Sequence, residues 1–187
     1  MKITIKIALF CSFVWIIVKW SYHLILPETL NLNFTIFANM LLLTVAVSLG
    51  LYKQKKMEGF SSGNLLSDIK NGLTSGVVYA LIVSLFILLY YSTINPQLNE
   101  RQIEESTMMI YKAVNDPKYL EDLKKTQESF EVMNKKQITE ELLKGPKNFY
   151  NAKATFVISL LSLVLFSTLL SIIISIIYRK ILIKAIK

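Results

Sequence analysis

Residues 155–178 read TFVISLLSLVLFSTLLSIIISIIY, and Arg179-Lys180 follow at once. A helix rises about 1.5 Å per residue, so about 20 apolar residues cross a hydrocarbon core of about 30 Å. This stretch has that length and holds no Lys, Arg, Asp, Glu or His. Working back towards the N-terminus, three more stretches qualify. Residues 72–94 close on Asn95-Pro96, residues 34–52 contain Asn39 as their one amide, and residues 7–26 run into Pro27, which cannot continue a helical ladder. The sequence therefore predicts an all-α membrane protein, a single membrane domain over 1–187 with four transmembrane helices. A mostly helical extramembrane insert, 95–154, separates the third helix from the fourth. The composition agrees: 53% hydrophobic, 18% charged and a mean hydropathy of +0.46 are too apolar for an ordinary soluble domain.

The connections are unequal. Pro27 to Asn33 is short enough to imply an antiparallel hairpin of the first two spans. The basic start of the first span resembles a signal peptide, but Trp20, Tyr22 and Leu24 stand where a small-x-small cleavage site belongs, so an uncleaved helix is expected. Residues 53–71 open on Lys53-Gln54-Lys55-Lys56. They then suggest an amphipathic lead-in to the third span, with Ser61 or Ser62 as its cap and Leu65, Leu66 and Ile69 on one side. In the insert, Ile103, Ile110 and Val114 share one helical face, and Leu120, Leu123, Gln127 and Phe130 another. Two or three short helices are expected there, one starting at Pro117, with Gly145-Pro146 breaking the chain before the last span.

The net charge of +8 is placed rather than spread. All of it comes from Lys2 and Lys6, from residues 53–71 (Lys53, Lys55, Lys56 and Lys70 against Glu58 and Asp68), and from Arg179, Lys180, Lys184 and Lys187. The insert holds ten Lys/Arg and ten Asp/Glu and is neutral. An excess confined to span flanks is a topology signal, not a nucleic-acid stripe. It places both termini and the 53–71 loop in the cytoplasm and the insert on the far side.

Among candidate site residues, Gly72, Gly76, Ala80 and Ser84 recur at every fourth position and form a ridge of small residues. Ser167, Ser171 and Ser175 form a second. Packing of one on the other is favoured over homodimerisation. Asn39 is expected to act as polar glue between helices. Lys19, Trp20, Tyr22 and His23 read as interface anchors, with the Lys19 stem snorkelling to the headgroups rather than serving ion or proton transport.

Sites of chemistry are scarce. Cys11 is the one cysteine and His23 the one histidine, so no disulfide or multi-histidine metal site forms within one chain. A bulky Phe10 before Cys11 argues against a lipid-anchored cysteine. The carboxylate pairs Glu104-Glu105, Glu121-Asp122 and Glu140-Glu141 each neighbour Lys or Arg, which favours a salt-bridged solvated surface over acid-base catalysis. No phosphate loop, dinucleotide fingerprint, zinc helix or nucleophile elbow is present. No catalytic residue, cofactor or metal is expected.

The basic N-terminus, the hairpin of two spans, the stretch Gly59-Phe60-Ser61-Ser62-Gly63 with Asn71-Gly72, the stop at Ile94-Asn95-Pro96, the polar helical insert and the basic tail together resemble the DUF4199 family. The resemblance covers essentially the whole chain. It implies a small four-span protein of a Gram-negative inner membrane, mostly from Bacteroidota, with a periplasmic insert and no established activity. It supplies no catalytic residues.

The expected role is a non-enzymatic accessory or assembly subunit that works through contacts. Its partners would be the bilayer and another membrane protein or further copies of itself, and not nucleic acid. An oligomeric channel or transporter component is the alternative, and an enzyme using the insert's carboxylates a more distant one.

Overall fold

The computed structural model describes residues 2–25, 32–60 and 62–185, and among them there is no strand. Four helices are long and apolar enough to cross a membrane: Ile3–Ile25, Phe34–Glu58, Leu65–Ile94 and Ala152–Ile181. Each takes in one of the four predicted spans as far as residues are described. Pro27, most of the first connection and the Ser61 capping candidate lie outside the described residues.

In chain order the helices are α1 (Ile3–Ile25), α2 (Leu32–Glu58), α3 (Leu65–Leu89), α4 (Gln97–Val114), α5 (Pro117–Thr126), α6 (Glu128–Glu131), α7 (Lys135–Phe149) and α8 (Ala152–Ala185). They fall into two compact units, Met1–Phe86 with Ile158–Lys187, and Ile87–Val157.

In the first unit α3 touches each of the other three helices. Ser75 donates its hydroxyl to the Ala46 carbonyl of α2 at 2.8 Å, with the Thr4 carbonyl of α1 at 3.2 Å. Trp15 of α1 meets Phe86 edge-on at 6.0 Å. Gly72 lies against Ser171, and Gly76 against Ser167, of α8. These pairings fix direction. Positions rise together along α1 and α3 (4 with 75, 15 with 86) and run oppositely along α3 and α8 (72 with 171, 76 with 167). The α2 contacts, 46 with 75 and 39 with 79, also run opposite to α3. The bundle is up-down-up-down, so the starts of α1 and α3 and the ends of α2 and α8 share one end. In lipid such helices gain nothing from hiding apolar surface from each other, and close packing with a few interhelical hydrogen bonds holds them.

Helix boundaries follow local chemistry. α2 stops at Glu58, and Gly59 adopts φ 94°, a left-handed cap conformation that glycine takes without a Cβ clash. α3 starts at Leu65 within the expected lead-in, and Ser62 is not its cap. Asn64 caps it directly, its Oδ1 accepting from Ser67 N at 2.8 Å, and Leu65 and Leu66 are exposed. Ser62 turns its hydroxyl back to the Gly59 carbonyl instead. The third span leaves α3 through one π-helical turn, Tyr90–Ile94, closed by Asn95 N on the Tyr90 carbonyl at 2.8 Å, and then stops at Pro96.

The second unit holds four helices rather than two or three, because the stretch after α5 adds the single turn α6. Asp116 caps α5 ahead of Pro117, and Asn134 and Gln137 form a reciprocal capping box on α7. Leu98, Val114, Phe130 and Ile138 form its buried centre. The expected break at Gly145-Pro146 is not there. Pro146 sits inside α7, where it withholds only one ladder bond, and Tyr150 N closes on its carbonyl at 2.8 Å. The break falls at 150–151, where Asn151 Oδ1 accepts from Ala154 N and starts α8.

Candidate functional site

Every fourth residue of α3 from Asp68 to Ser84 is buried: Asp68, Gly72, Gly76, Ala80, Ser84. The predicted ridge therefore begins one step earlier than its first glycine, with a carboxylate. α8 has the matching row Leu163, Ser167, Ser171, Ser175, whose next position is Arg179, and α2 has Leu43, Val47, Leu51, Lys55. The three rows are apolar or small through the bundle. Each ends in a charged residue at the same end of it.

These charges meet. Lys55 Nζ stands 2.7 Å from Asp68 Oδ1 as a close ion contact, and Arg179 Nε donates to Asp68 Oδ2 at 2.7 Å. The Lys55 and Asp68 side chains are 4% and 2% exposed, and Arg179 is 25% exposed. Lys55 also donates to the Ser62 carbonyl at 2.5 Å, tying the α2–α3 turn to the cluster. Asp68 lies in the first turn of α3 and Lys55 in the last turn of α2, so both charges also complement their helix dipoles. An arginine fork facing one carboxylate commonly uses both of its oxygens. Here Lys55 faces Oδ1 as an ion contact, while neither the buried Oδ1 nor the buried Nη2 of Arg179 makes a hydrogen bond among the described residues.

Beside the cluster, Tyr178 donates to the Ser48 carbonyl at 3.2 Å and meets Tyr52 edge-on at 6.4 Å, while Phe60 lies 5.9 Å from Tyr52. Phe60 belongs to the turn that Lys55 grips, so rings and charges close the same end of α2 and α8.

The remaining candidates are placed as follows. An ideal Cβ on Gly72 would stand 3.1 Å from Ser171 Oγ, and one on Gly76 would stand 2.8 Å from Ser167 Oγ, so the two small ridges face each other within the chain. Ala80, Ser84 and Ser175 are buried. Asn39 Oδ1 accepts from the Tyr79 hydroxyl at 2.8 Å, across α2 and α3. Polar pairs inside a bilayer couple by about 0.6 kcal/mol on average. Tyr79→Phe and Asn39→Ala should therefore each destabilise the bundle, and the double mutant should cost about 0.6 kcal/mol less than the sum. Unfolding titrations in detergent measure it, and strictly additive losses would contradict the pair.

Trp20 is exposed and lies 6.4 Å from His23, and Tyr22 stacks on Phe34 at 5.7 Å. Lys19 differs from its expected snorkelling role. It is 5% exposed, because it falls on the packed side of α1 with Ala8, Cys11, Ser12 and Trp15.

The six paired carboxylates of the insert are exposed. Glu105 faces Arg101, Glu141 faces Lys144 and Glu121 faces Lys125, each within the same helix. The hydrogen bond from Lys125, and then its charge, hold the Glu121 carboxyl below the usual carboxylate range. A general acid needs the opposite shift. Among the described residues no group of three His, Cys, Asp or Glu is placed to hold a metal ion.

Sequence reasoning missed the Lys55–Asp68–Arg179 cluster by counting each residue as a solvated flank charge. The signal was the four-residue period carried one step past each row. A protein-family model described as "Protein of unknown function (DUF4199)" matches residues 4–180, and no curated protein and no solved structure matches the chain.

Proposed function

Since the chain belongs to the DUF4199 family, whose description assigns no activity, we propose from its own geometry that it is a non-enzymatic accessory subunit of the bacterial inner membrane. Its basic bundle end faces the cytoplasm, and the Ile87–Val157 unit docks on the far side against another membrane protein. The orientation rests on the collection of Lys2, Lys6, Lys53, Lys55, Lys56, Lys70, Arg179 and Lys180 at one end of an antiparallel bundle.

The observation that carries the docking role is a groove of about 460 Å³ between α4 and α7, walled by Tyr111, Val114 and Leu143 and edged by Lys135, Lys136 and Glu140. Apolar walls with charges of both signs at the rim suit an amphipathic partner segment, as protein interfaces place an apolar centre inside a polar edge. Met108 and Met109 extend the exposed apolar surface along α4. The ridges of α3 and α8 are occupied by each other, which leaves the insert as the more available contact surface.

A photo-crosslinking side chain at Tyr111 tests this in native membranes, with one at exposed Lys124 as control. The expected result is a discrete adduct with a second membrane protein from position 111 and none from 124. Adducts only with lipid or with a second copy of the chain would overturn the accessory role. Single cysteines at 124 and at 53, in a Cys11→Ser background, report the orientation. Labelling from outside the cell should reach 124 only.

A further inference from the structure

We propose that the groove between α4 and α7 takes an acidic amphipathic helix of the partner, its Asp or Glu side chains against Lys135 and Lys136 and its apolar face over Tyr111, Val114 and Leu143. The inference rests on the docking role proposed for that groove and adds the chemistry of the occupant. The α7 wall runs from Lys135 to Leu143, which the rise of a helix makes about 12 Å long. Two helical turns fill that length. A helix lying in such a groove presents apolar residues at i, i+3, i+4 and i+7. A bilayer surface is flat and does not enter it.

The charge at the groove's edge is unbalanced. Two exposed lysines, Lys135 and Lys136, stand against the one carboxylate of Glu140. Elsewhere in the insert Lys125 pairs with Glu121 and Lys144 with Glu141, but among the described residues neither Lys135 nor Lys136 makes an ion pair. Asp116, next in sequence to the groove residue Asn115, is engaged as the α5 cap and accepts from Lys118 N at 2.9 Å. The first turn of α7 contains no acidic residue, so its positive dipole end adds to the lysines instead of being offset. Lys135 Nζ donates to Asn115 Oδ1 at 2.8 Å, which ties it to the end of α4 and leaves it two further N–H donors. The positive edge therefore lies at one end of the groove, where α4 finishes and α7 begins. The occupant's acidic residues belong at the matching end of its helix, beside the apolar residues that meet the walls.

The photo-crosslinking side chain at Tyr111 of the full-length protein is the probe, used in native membranes with the captured segment sequenced by mass spectrometry. That segment should carry Asp or Glu within two turns of the crosslinked residue. Lys135→Glu with Lys136→Glu reverses the edge and should cut the adduct about fivefold or more, the upper range for exposed ion pairs. Glu140→Gln removes the edge carboxylate and should raise the adduct about twofold. Lys124→Glu with Lys125→Glu changes the net charge equally on α5 and should leave it unaltered. An adduct that the reversal at 135 and 136 leaves intact, or one formed on a neutral or basic segment, overturns the acidic occupant while the docking role stands. Absence of any protein adduct from position 111 in the otherwise unmutated chain overturns both. Acids in the first turn of α7 suit its dipole, so the reversal does not act by melting the helix. The gain expected from Glu140→Gln is a change that misfolding does not produce.

Discussion

Asp68→Asn should be the most destabilising isosteric change in the protein, at about 3–5 kcal/mol, the range seen when one partner of a buried ion pair is removed. The asparagine keeps the shape and loses the charge. It leaves Lys55, at 4% exposure, and Arg179, at 25%, as two cations with no anion between them. The single changes should rank in order of burial. Lys55→Met costs less than Asp68→Asn, because Arg179 still neutralises the carboxylate. Arg179→Gln costs least, since water already screens part of that contact. Replacing all three together, Lys55→Met with Asp68→Leu and Arg179→Met, should recover most of the loss, because no charge is then buried alone. Denaturant titration in mixed micelles gives these values. An Asp68→Asn protein within about 0.5 kcal/mol of wild type would show that the cluster is not holding the helices.

Gly76→Ala is the second large effect. The added Cβ would overlap Ser167 Cβ, stand 2.8 Å from Ser167 Oγ and 3.2 Å from Val47 Cγ2, so it is hemmed in by α8 and α2 at once. Neither neighbour is the free end of a long side chain, and the helix axes have to separate. Overpacking of this kind costs about 1–3 kcal/mol. Adding Ser167→Gly to Gly76→Ala removes the obstructing Cβ and should restore more than half of the loss. Gly145→Ala, where nothing lies within 4 Å of the new methyl, should instead be neutral or gain up to about 1 kcal/mol from helix propensity. Equal effects at 76 and 145 would remove close helix approach as the reason for glycine at 76.

The four spans were legible because a long apolar run has few other fates in a chain of this composition. The facing ridges were legible because side-chain size repeats at every fourth position whether or not a structure is known. What was misread depended on how many partners a polar residue has. Lys55, Asp68 and Arg179 look alike to Lys53, Glu58 and Lys180 in sequence, and only the phase of the helix separates a buried charge from a solvated one. Lys19 was misplaced for the same reason. Asparagine was undervalued as a helix starter: Asn64, Asn134 and Asn151 each accept a backbone N–H at a helix start, while serine was chosen at 61–62 and a Gly-Pro break at 145–146. A proline three residues from the end of α7 has little ladder left to disrupt.

The ion cluster pins three helices to one another at a single depth, and it does so at one end only. Bilayers differ in thickness, and a bundle adapts by tilting its helices or sliding their ends. Sliding of α2, α3 and α8 at the pinned end would draw charges apart inside a poorly hydrated layer, so the adjustment has to be taken up at the opposite end. There α3 passes into the wider π turn at Tyr90–Ile94 before Pro96 releases the chain. Variation in membrane thickness would then be absorbed at the free ends of α2, α3 and α8 while leaving the basic end undisturbed.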